Sequence, residues 1–245
     1  MGKAIELLTN KSVKPKLVVL SGAGMSAESG LSTFRDKNGL WDNHNIDDVA
    51  SPEGWARNRD LVLNFYNERR RKMWTCLPNA GHLGLVQLEA NYDVEIVTQN
   101  IDNLHERAGS THVLHLHGEL SKARSTLDPD LVSDIGDCDI LPGSKCARGS
   151  QLRPHIVWFG EDVPLFQRAT EIVGAADIVV IIGTSLSVFP AASLVNFAPS
   201  QARIFLIDPK PNPTKRALTV IAATATDGVA QLIQLLNGLS KTPGV

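Results

Sequence analysis

Leu17-Val-Val-Leu-Ser-Gly-Ala-Gly-Met-Ser-Ala27 is an apolar run that ends in a glycine turn. Its first four residues suit a strand covered on both faces. The turn, Gly22-x-Gly24-x-x-Ala27, satisfies the loose dinucleotide fingerprint, in which small residues let backbone N–H groups approach a pyrophosphate. Gly22, Ala23, Gly24 and Ala27 are therefore candidate phosphate contacts. An ordinary glycine turn after a strand would carry the same letters. A dehydrogenase should next show a long helix, then an acidic residue about 20 positions on. Here the continuation SGLSTFRDKNGLW, residues 29–41, reads as loop.

Outward from this stretch, short β-rich runs recur: KLVVL at 16–20, VEIVT at 94–98, HVLHL at 112–116, DIVVIIG at 177–183 and RIFLI at 203–207. Helices are expected at 53–73, at 79–91 after Pro78, and over ATDGVAQLIQLLNGL at 225–239. This alternation predicts an α/β fold, a doubly wound Rossmann-like parallel sheet. Residues 31–75 and roughly 118–155 interrupt it, the second stretch being rich in Asp, Ser, Pro and Gly. The expected division is a Rossmann-like dinucleotide-binding domain from 1–30, 76–117 and 160–245. Residues 31–75 and 118–159 would form a small subdomain and loops over the carboxyl edge of the sheet, where such folds bind ligands.

Acidic and basic side chains nearly cancel, 26 against 24 for a formal charge of -2, so no global field draws the chain to nucleic acid or an anionic membrane. Cys76, Cys138 and Cys146 are too few and too scattered for a disulfide framework, which points to a reducing compartment. The first residues, MGKAIELLTNKSVKPKL, lack the apolar core of a secretion signal. No apolar run reaches the roughly 20 residues needed to span a bilayer. The expectation is a cytoplasmic monomer with no specific nucleic acid and no membrane partner.

The longer run Gly22-Ala-Gly-Met-Ser-Ala-Glu-Ser-Gly-Leu-Ser-Thr-Phe-Arg35, with Asn38-Gly-Leu-Trp41 after it, resembles the sirtuin signature. Thr98-Gln-Asn-Ile-Asp102, Leu116-His-Gly-Glu119, Leu152-Arg-Pro-His-Ile-Val-Trp-Phe-Gly-Glu161 and Gly183-Thr-Ser-Leu-Ser-Val-Phe-Pro190 follow in that family's order. The resemblance covers nearly the whole chain. It implies an enzyme that consumes NAD to remove acyl groups from protein lysine side chains. By this resemblance the Gly22 to Ala27 turn holds the pyrophosphate, and Phe34 and Arg35 sit on a loop over the reacting ribose, with Trp41 also among the cofactor contacts. Gln99, Asn100, Ile101 and Asp102 meet nicotinamide and ribose, while Gly183, Thr184 and Ser185 meet the adenosine side. Asp208 departs from the family's more usual Asn, yet it can still accept from ribose hydroxyls and would repel a 2′-phosphate. Lys210 and Ala225 complete the implied NAD contacts.

In the family's reaction the acyl oxygen of the lysine amide attacks the anomeric carbon of the ribose as nicotinamide leaves. His117 is implied as the general base that then deprotonates the ribose hydroxyls, with Asn100 and Asp102 as its catalytic companions. The products would be free lysine, nicotinamide and O-acyl-ADP-ribose. A histidine suits the role because its unperturbed pKa of about 6.5 lies near the working pH. A lone histidine beside a strand is more often structural, and that reading is kept for His82 and His115.

Val157, Trp158 and Phe159 by themselves read as core strand residues; in the family this segment pairs with the substrate backbone and walls the acyl-lysine tunnel. Tyr66 and Arg69, three apart in VLNFYNERRRK, share a helix face. Alone they would be a solvated basic helix end. In the sirtuins a Tyr-x-x-Arg pair at this place, with a small residue such as Ala50, lines the pocket of members that remove succinyl and malonyl groups.

Sirtuins usually carry two Cys-x-x-Cys pairs that bind structural zinc between the catalytic histidine and Leu-Arg-Pro. Here Ser125-Thr-Leu-Asp-Pro129 replaces the first pair, and only Cys146 lies near the second. No zinc or other metal is expected, and Asp128, Asp130, Asp134, Asp137 and Asp139 are expected to cap turns in its place. Rival readings are a sirtuin-fold protein ADP-ribosyltransferase, an NAD-dependent oxidoreductase and a non-catalytic sensor. Retention of His117, Asn100 and Asp102 argues against the first.

Overall fold

The computed structural model describes residues 13–33, 44–184, 188–211 and 218–239. In chain order they form β1 (Lys16–Ser21), α1 (Gly24–Ala27), α2 (Ile46–Val49), α3 (Pro52–Arg57), α4 (Arg59–Thr75), α5 (Ala80–Leu88), β2 (Asp93–Thr98), α6 (Leu104–Ala108) and β3 (Val113–His115). There follow β4 (Gly118–Ser125), β5 (Val132–Asp134), β6 (Leu152–Ile156), α7 (Phe166–Gly174), β7 (Ile178–Ile182), a 3-10 helix (Ala191–Phe197), β8 (Arg203–Ile207), β9 (Thr219–Ile221) and α8 (Ala225–Leu239).

Six strands form one parallel sheet in the order β3-β2-β1-β7-β8-β9. The period-two alternation of a strand explains why β1 has no polar face. Leu17 and Val19 enter a core with Leu85 of α5 and Val229 and Leu232 of α8. Val18 and Leu20 enter the opposite core with Ala169 and Val173 of α7 and Leu194 of the 3-10 helix. Each such side chain stabilises the fold by roughly 1.5–3 kcal/mol. From β1 the chain builds outward to β2 and β3 on one side and, later, to β7, β8 and β9 on the other. The reversal of order opens a crevice at the carboxyl ends of β1 and β7.

A second sheet, antiparallel β5-β4-β6, packs with α2, α3 and α4 around a core of its own that includes Trp55, Phe65, Tyr66, Ala123, Ile156 and Trp158. Only Leu116 and His117 separate β3 of the large sheet from β4 of the small one. Gly118 makes that turn at φ +81°, where an added Cβ would lie 2.0 Å from the His155 carbonyl oxygen.

The helix expected over 53–73 is two helices. Asn58 leaves helical geometry at φ −149° and caps α4 by accepting from the Leu61 N–H. Ser51 caps α3 in the same way through Gly54, with Pro52 in the first turn. The helix expected over 79–91 is shorter, Ala80–Leu88, and begins with a capping box between Asn79 and His82. The sequence reading also missed α1, α2, α6, α7, the 3-10 helix, β9 and the three strands of the small sheet. Among the described residues no helix is long and apolar enough to cross a membrane.

Candidate active site

The glycines of the first turn have a steric reason to be there. The Gly22 N–H donates to the Ile182 carbonyl at 3.0 Å, the Gly24 N–H to the Gly183 carbonyl at 2.9 Å, and the Gly183 N–H to the Ile207 carbonyl at 3.2 Å. These bonds join the carboxyl ends of β1, β7 and β8. A Cβ on Gly22 would lie 2.7 Å from the Thr184 Cβ, and one on Gly24 2.7 Å from the Gly183 Cα. Gly183 itself has φ +62°, a conformation that favours glycine. The result is a floor of bare backbone, which suits close approach of a pyrophosphate.

Beside this floor, residues 98–102 leave β2. The Gln99 N–H donates to the Ser21 carbonyl at 2.9 Å, and Gln99 Nε2 donates to Thr184 Oγ1 at 3.0 Å. Asn100 is buried, with its N–H on Thr98 Oγ1 and its Nδ2 donating to Ser26 Oγ at 3.2 Å. Ser21 Oγ in turn donates to Thr98 Oγ1 at 2.8 Å. Asp102 is buried and accepts from the Leu104 N–H at 3.1 Å. Burial raises the Asp102 pKa above the usual carboxylate value, and the opposing pull of the Leu104 and Ser26 hydrogen bonds and of His115 is weaker. Ile101 faces the core of the smaller lobe.

His117 stands where the large sheet passes into the small one. Its Nδ1 lies 3.1 Å from the Gln99 carbonyl oxygen. A carbonyl only accepts, so Nδ1 carries the proton and Nε2 is the basic nitrogen. Burial lowers the pKa of the ring below the ordinary histidine value, and the Gln99 bond only partly offsets this. The ring is neutral at pH 7. The His117 carbonyl accepts from the Val157 N–H at 3.0 Å, tying the end of β6 to the same point. His82 and His115 are buried, His82 in the helix cap and His115 with both ring nitrogens bonded.

In the smaller lobe Tyr66 is buried and its hydroxyl accepts from Trp158 Nε1 at 3.1 Å. Burial pushes the Tyr66 pKa up, so the phenol keeps its proton. One turn along α4, Arg69 lays its guanidinium 3.2 Å from the Phe65 ring centroid and donates to the Phe65 carbonyl at 3.1 Å. Burial lowers the Arg69 pKa to about 10, so the group stays charged at pH 7. The Ala50 carbonyl accepts from the Phe159 N–H at 3.0 Å, which brings the 157–159 segment alongside Ala50. Phe159 is half exposed, and Trp158 is buried.

The sequence reading missed what holds Trp158. Its N–H donates to Glu161 Oε2 at 2.8 Å, and the Arg153 guanidinium lies 3.3 Å from its ring centroid. Glu161 accepts from Arg153 at 2.6 and 3.1 Å and from Arg124 at 3.0 Å. Burial raises the Glu161 pKa, but the Arg153 hydrogen bonds, the Trp158 N–H and the charges of both arginines outweigh it and hold the carboxyl below its ordinary value. Arg153 and Glu161 lie inside the quoted Leu152 to Glu161 run, so the signal was present without a role attached.

Asp208 follows β8 and accepts from the Lys210 N–H at 2.7 Å, a local turn. Ala225 opens α8 and is buried, its carbonyl oxygen 3.0 Å from where a Cβ on Gly81 would stand. Phe34, Arg35, Trp41 and Ser185 lie outside the described residues.

At the place of the family's zinc cysteines, Ser125 Oγ lies 2.7 Å from Ser150 Oγ and accepts from the N–H groups of Leu127 and Asp128, each at 3.1 Å. Cys146 Sγ lies 3.1 Å from Ser150 Oγ. Asp128 accepts from the Asp130 N–H and pairs with Arg148, and Asp134 accepts from the Gly136 N–H. Structural zinc takes four Cys or His donors, and one thiol among hydroxyls does not fit it. Among the described residues no three His, Cys, Asp or Glu side chains form a group able to hold a metal ion.

A doubly wound sheet with interlocked glycines at its reversal point and a neutral histidine at its edge defines a dinucleotide-binding α/β protein. The Sir2 family model matches residues 22–190, and the chain belongs to that family. It is 58% identical over 201 residues to an NAD-dependent protein deacylase of Aggregatibacter actinomycetemcomitans, a match that spans 82% of this chain and 96% of that one. It is 52% identical over 227 residues to an NAD-dependent protein deacylase of Bacteroides thetaiotaomicron, spanning 90% of this chain and 97% of the other. A solved complex of a Sir2 homolog with NAD superposes with a TM-score of 0.82 at 36% identity, over 92% of this chain and 91% of that one.

Proposed function

We propose that this protein is an NAD-dependent protein-lysine deacylase, with His117 as general base, acting on acetyl-lysine and on succinyl- and malonyl-lysine. The observation that carries the reading is the hydrogen bond from His117 Nδ1 to the Gln99 carbonyl. It fixes the tautomer that leaves Nε2 free of a proton and ties the ring to the loop that presents Gln99, Asn100 and Asp102. The relatives named as deacylases, similar over nearly their whole length, support the class of reaction.

NAD, when bound, supplies an electrophilic ribose carbon with nicotinamide as the leaving group. The backbone floor at Gly22, Gly24 and Gly183 suits its pyrophosphate, because any side chain there would fill the space. Asn100 and Asp102 would orient nicotinamide and ribose, and the buried position of both keeps water from competing for their polar atoms. His117 would accept the ribose hydroxyl proton. Val157, Trp158 and Phe159 would carry the acyl-lysine, with Ala50 leaving room at the side.

Tyr66 and Arg69 support a dicarboxylic acyl group. A phenol that keeps its proton and a charged guanidinium can both donate to a free carboxylate, each such bond contributing roughly 1.5–3 kcal/mol. We read residues 119–152 as metal-free, held by the Ser125, Cys146 and Ser150 hydrogen bonds in place of zinc.

The test is incubation with NAD and a panel of acetyl, succinyl, malonyl and long-chain acyl peptides, with nicotinamide and O-acyl-ADP-ribose measured and the His117→Tyr variant as control. The reading expects peptide-dependent release of both products from the wild type alone. ADP-ribosylated protein without acylated ADP-ribose would replace it with the transferase.

A further inference from the structure

The reaction leaves His115 without a part, although its surroundings are highly specified. The ring is 7% exposed, and both nitrogens end on acceptors: Nδ1 at 2.9 Å from the Asn100 carbonyl oxygen and Nε2 at 2.7 Å from Glu106 Oε1. Neither a carbonyl nor an ionised carboxylate can donate, so both nitrogens carry protons and the ring is an imidazolium. The Glu106 side chain is 39% exposed, which keeps its carboxylate in water and ionised. Three elements meet in the pair: α6 through Glu106, β3 through His115, and the loop after β2 through Asn100.

We propose that Glu106 and His115 form a positioning pair for the deacylase reaction, one that clamps the Asn100 carbonyl and holds a positive charge against the loop that carries Asp102. The proposal rests on the deacylase reading. The charged and titratable groups facing His115 favour the cation. Glu106 faces it from α6 and Glu119 from β4, both favouring the charged ring; the buried Asp102 on the loop resists ionisation, and His105 of α6 is kept neutral by its own burial. Lys122 of β4 is engaged with Glu119 at 2.6 Å. Burial works against protonating His115, but the bond and charge of Glu106 outweigh it.

The consequence falls on Asp102. A fully buried carboxyl resists ionisation, and the nearby imidazolium opposes that resistance. Glu106→Gln separates the two parts of the device. The neutral ring can still donate from Nδ1 to Asn100, so the clamp survives while the charge is lost. His115→Gln removes the ring altogether.

Two measurements on the full chain test this. In NMR spectra of 15N-histidine-labelled protein at pH 7.5, both His115 ring nitrogens should report a protonated ring, and in Glu106→Gln one should become unprotonated. A neutral His115 ring in the wild type would overturn the proposal. Calorimetric titration with NAD across pH should show Glu106→Gln binding about 3- to 10-fold more weakly at the acid end of the range, with the gap narrowing as pH rises, because loss of the imidazolium leaves burial to raise the Asp102 pKa further. An equal loss at every pH, or no loss, would reduce the pair to a packing role. A wild type that neither binds NAD nor releases nicotinamide would sink the deacylase reading instead, and the NMR result would still decide the charge on His115.

Discussion

Gly24 and Gly183 meet face to face: the Gly24 N–H donates to the Gly183 carbonyl at 2.9 Å, and a Cβ on Gly183 would lie 2.3 Å from the Met25 nitrogen. Gly183→Ala therefore meets both a clash and a left-handed backbone, the latter alone costing about 1–2 kcal/mol. We expect the melting temperature to fall by roughly 4 °C or more and NAD affinity to fall with it. Unchanged melting and unchanged calorimetric affinity would contradict the close approach.

His117 should titrate below the ordinary histidine value of about 6.5 in the free protein, because burial opposes its charged form. The sign for stability follows. The unfolded chain takes up this proton first as pH falls, so stability linked to His117 is full above about 6.5 and declines below it. NMR titration of the ring checks the midpoint, and a value above 7 would remove the cause. His117→Tyr should lower deacylation about 100-fold or more.

Arg69→Met should lower kcat/KM for succinyl-lysine by about 10- to 100-fold, the equivalent of one charge-assisted bond, and change the acetyl value far less. Parallel kinetics on the two peptides decide this. Equal losses would take Arg69 out of the acyl pocket.

Residues 119–152 should hold their shape without metal. We expect chelator-treated protein to keep its melting temperature and activity, with no stoichiometric zinc by elemental analysis. Ser125→Ala leaves the Leu127 and Asp128 N–H groups without their acceptor and should cost about 1–3 kcal/mol in denaturant unfolding. Loss of activity with the chelator would favour a bound ion.

Glu161 links Arg124, Arg153 and the Trp158 N–H, and its pKa is held down in the folded state. Its contribution is present above the unfolded value of about 4.5 and is lost as pH falls through the lower folded value. Glu161→Gln should destabilise the protein by about 2–4 kcal/mol at pH 7, since two arginines lose their partner. The difference from wild type should shrink in acid. Denaturant unfolding at pH 7 and pH 3 compares them, and a gap independent of pH would assign the effect to packing.

The large sheet was legible because its strands are apolar on both faces, a pattern that follows directly from two covering layers. Of the crevice floor, Gly22 and Gly24 were legible as a tight turn after a strand, whereas the place of Gly183 against them depends on β7 lying beside β1 and came only with the structure. Less could be read where structure depends on distant partners. Asn58 looks like any polar helix residue until its side chain is seen capping Leu61. β9 is three residues long and owes its strand geometry to β8 beside it. The Arg153, Glu161 and Trp158 cluster combines residues several positions apart with Arg124 from another strand, so no local spacing announces it.

His115 and His117 take the carbonyls of two consecutive residues, Asn100 and Gln99. Alternation along an extended segment gives the two rings matching aspects, and successive peptide oxygens of one loop receive them. The two rings are thereby tied to one stretch of backbone. If His117 is the base and this loop receives nicotinamide, as proposed, a redesign that shifts the loop to admit an altered nicotinamide would disturb the proton acceptor too, and cofactor choice and turnover would have to be re-tuned in a single stroke.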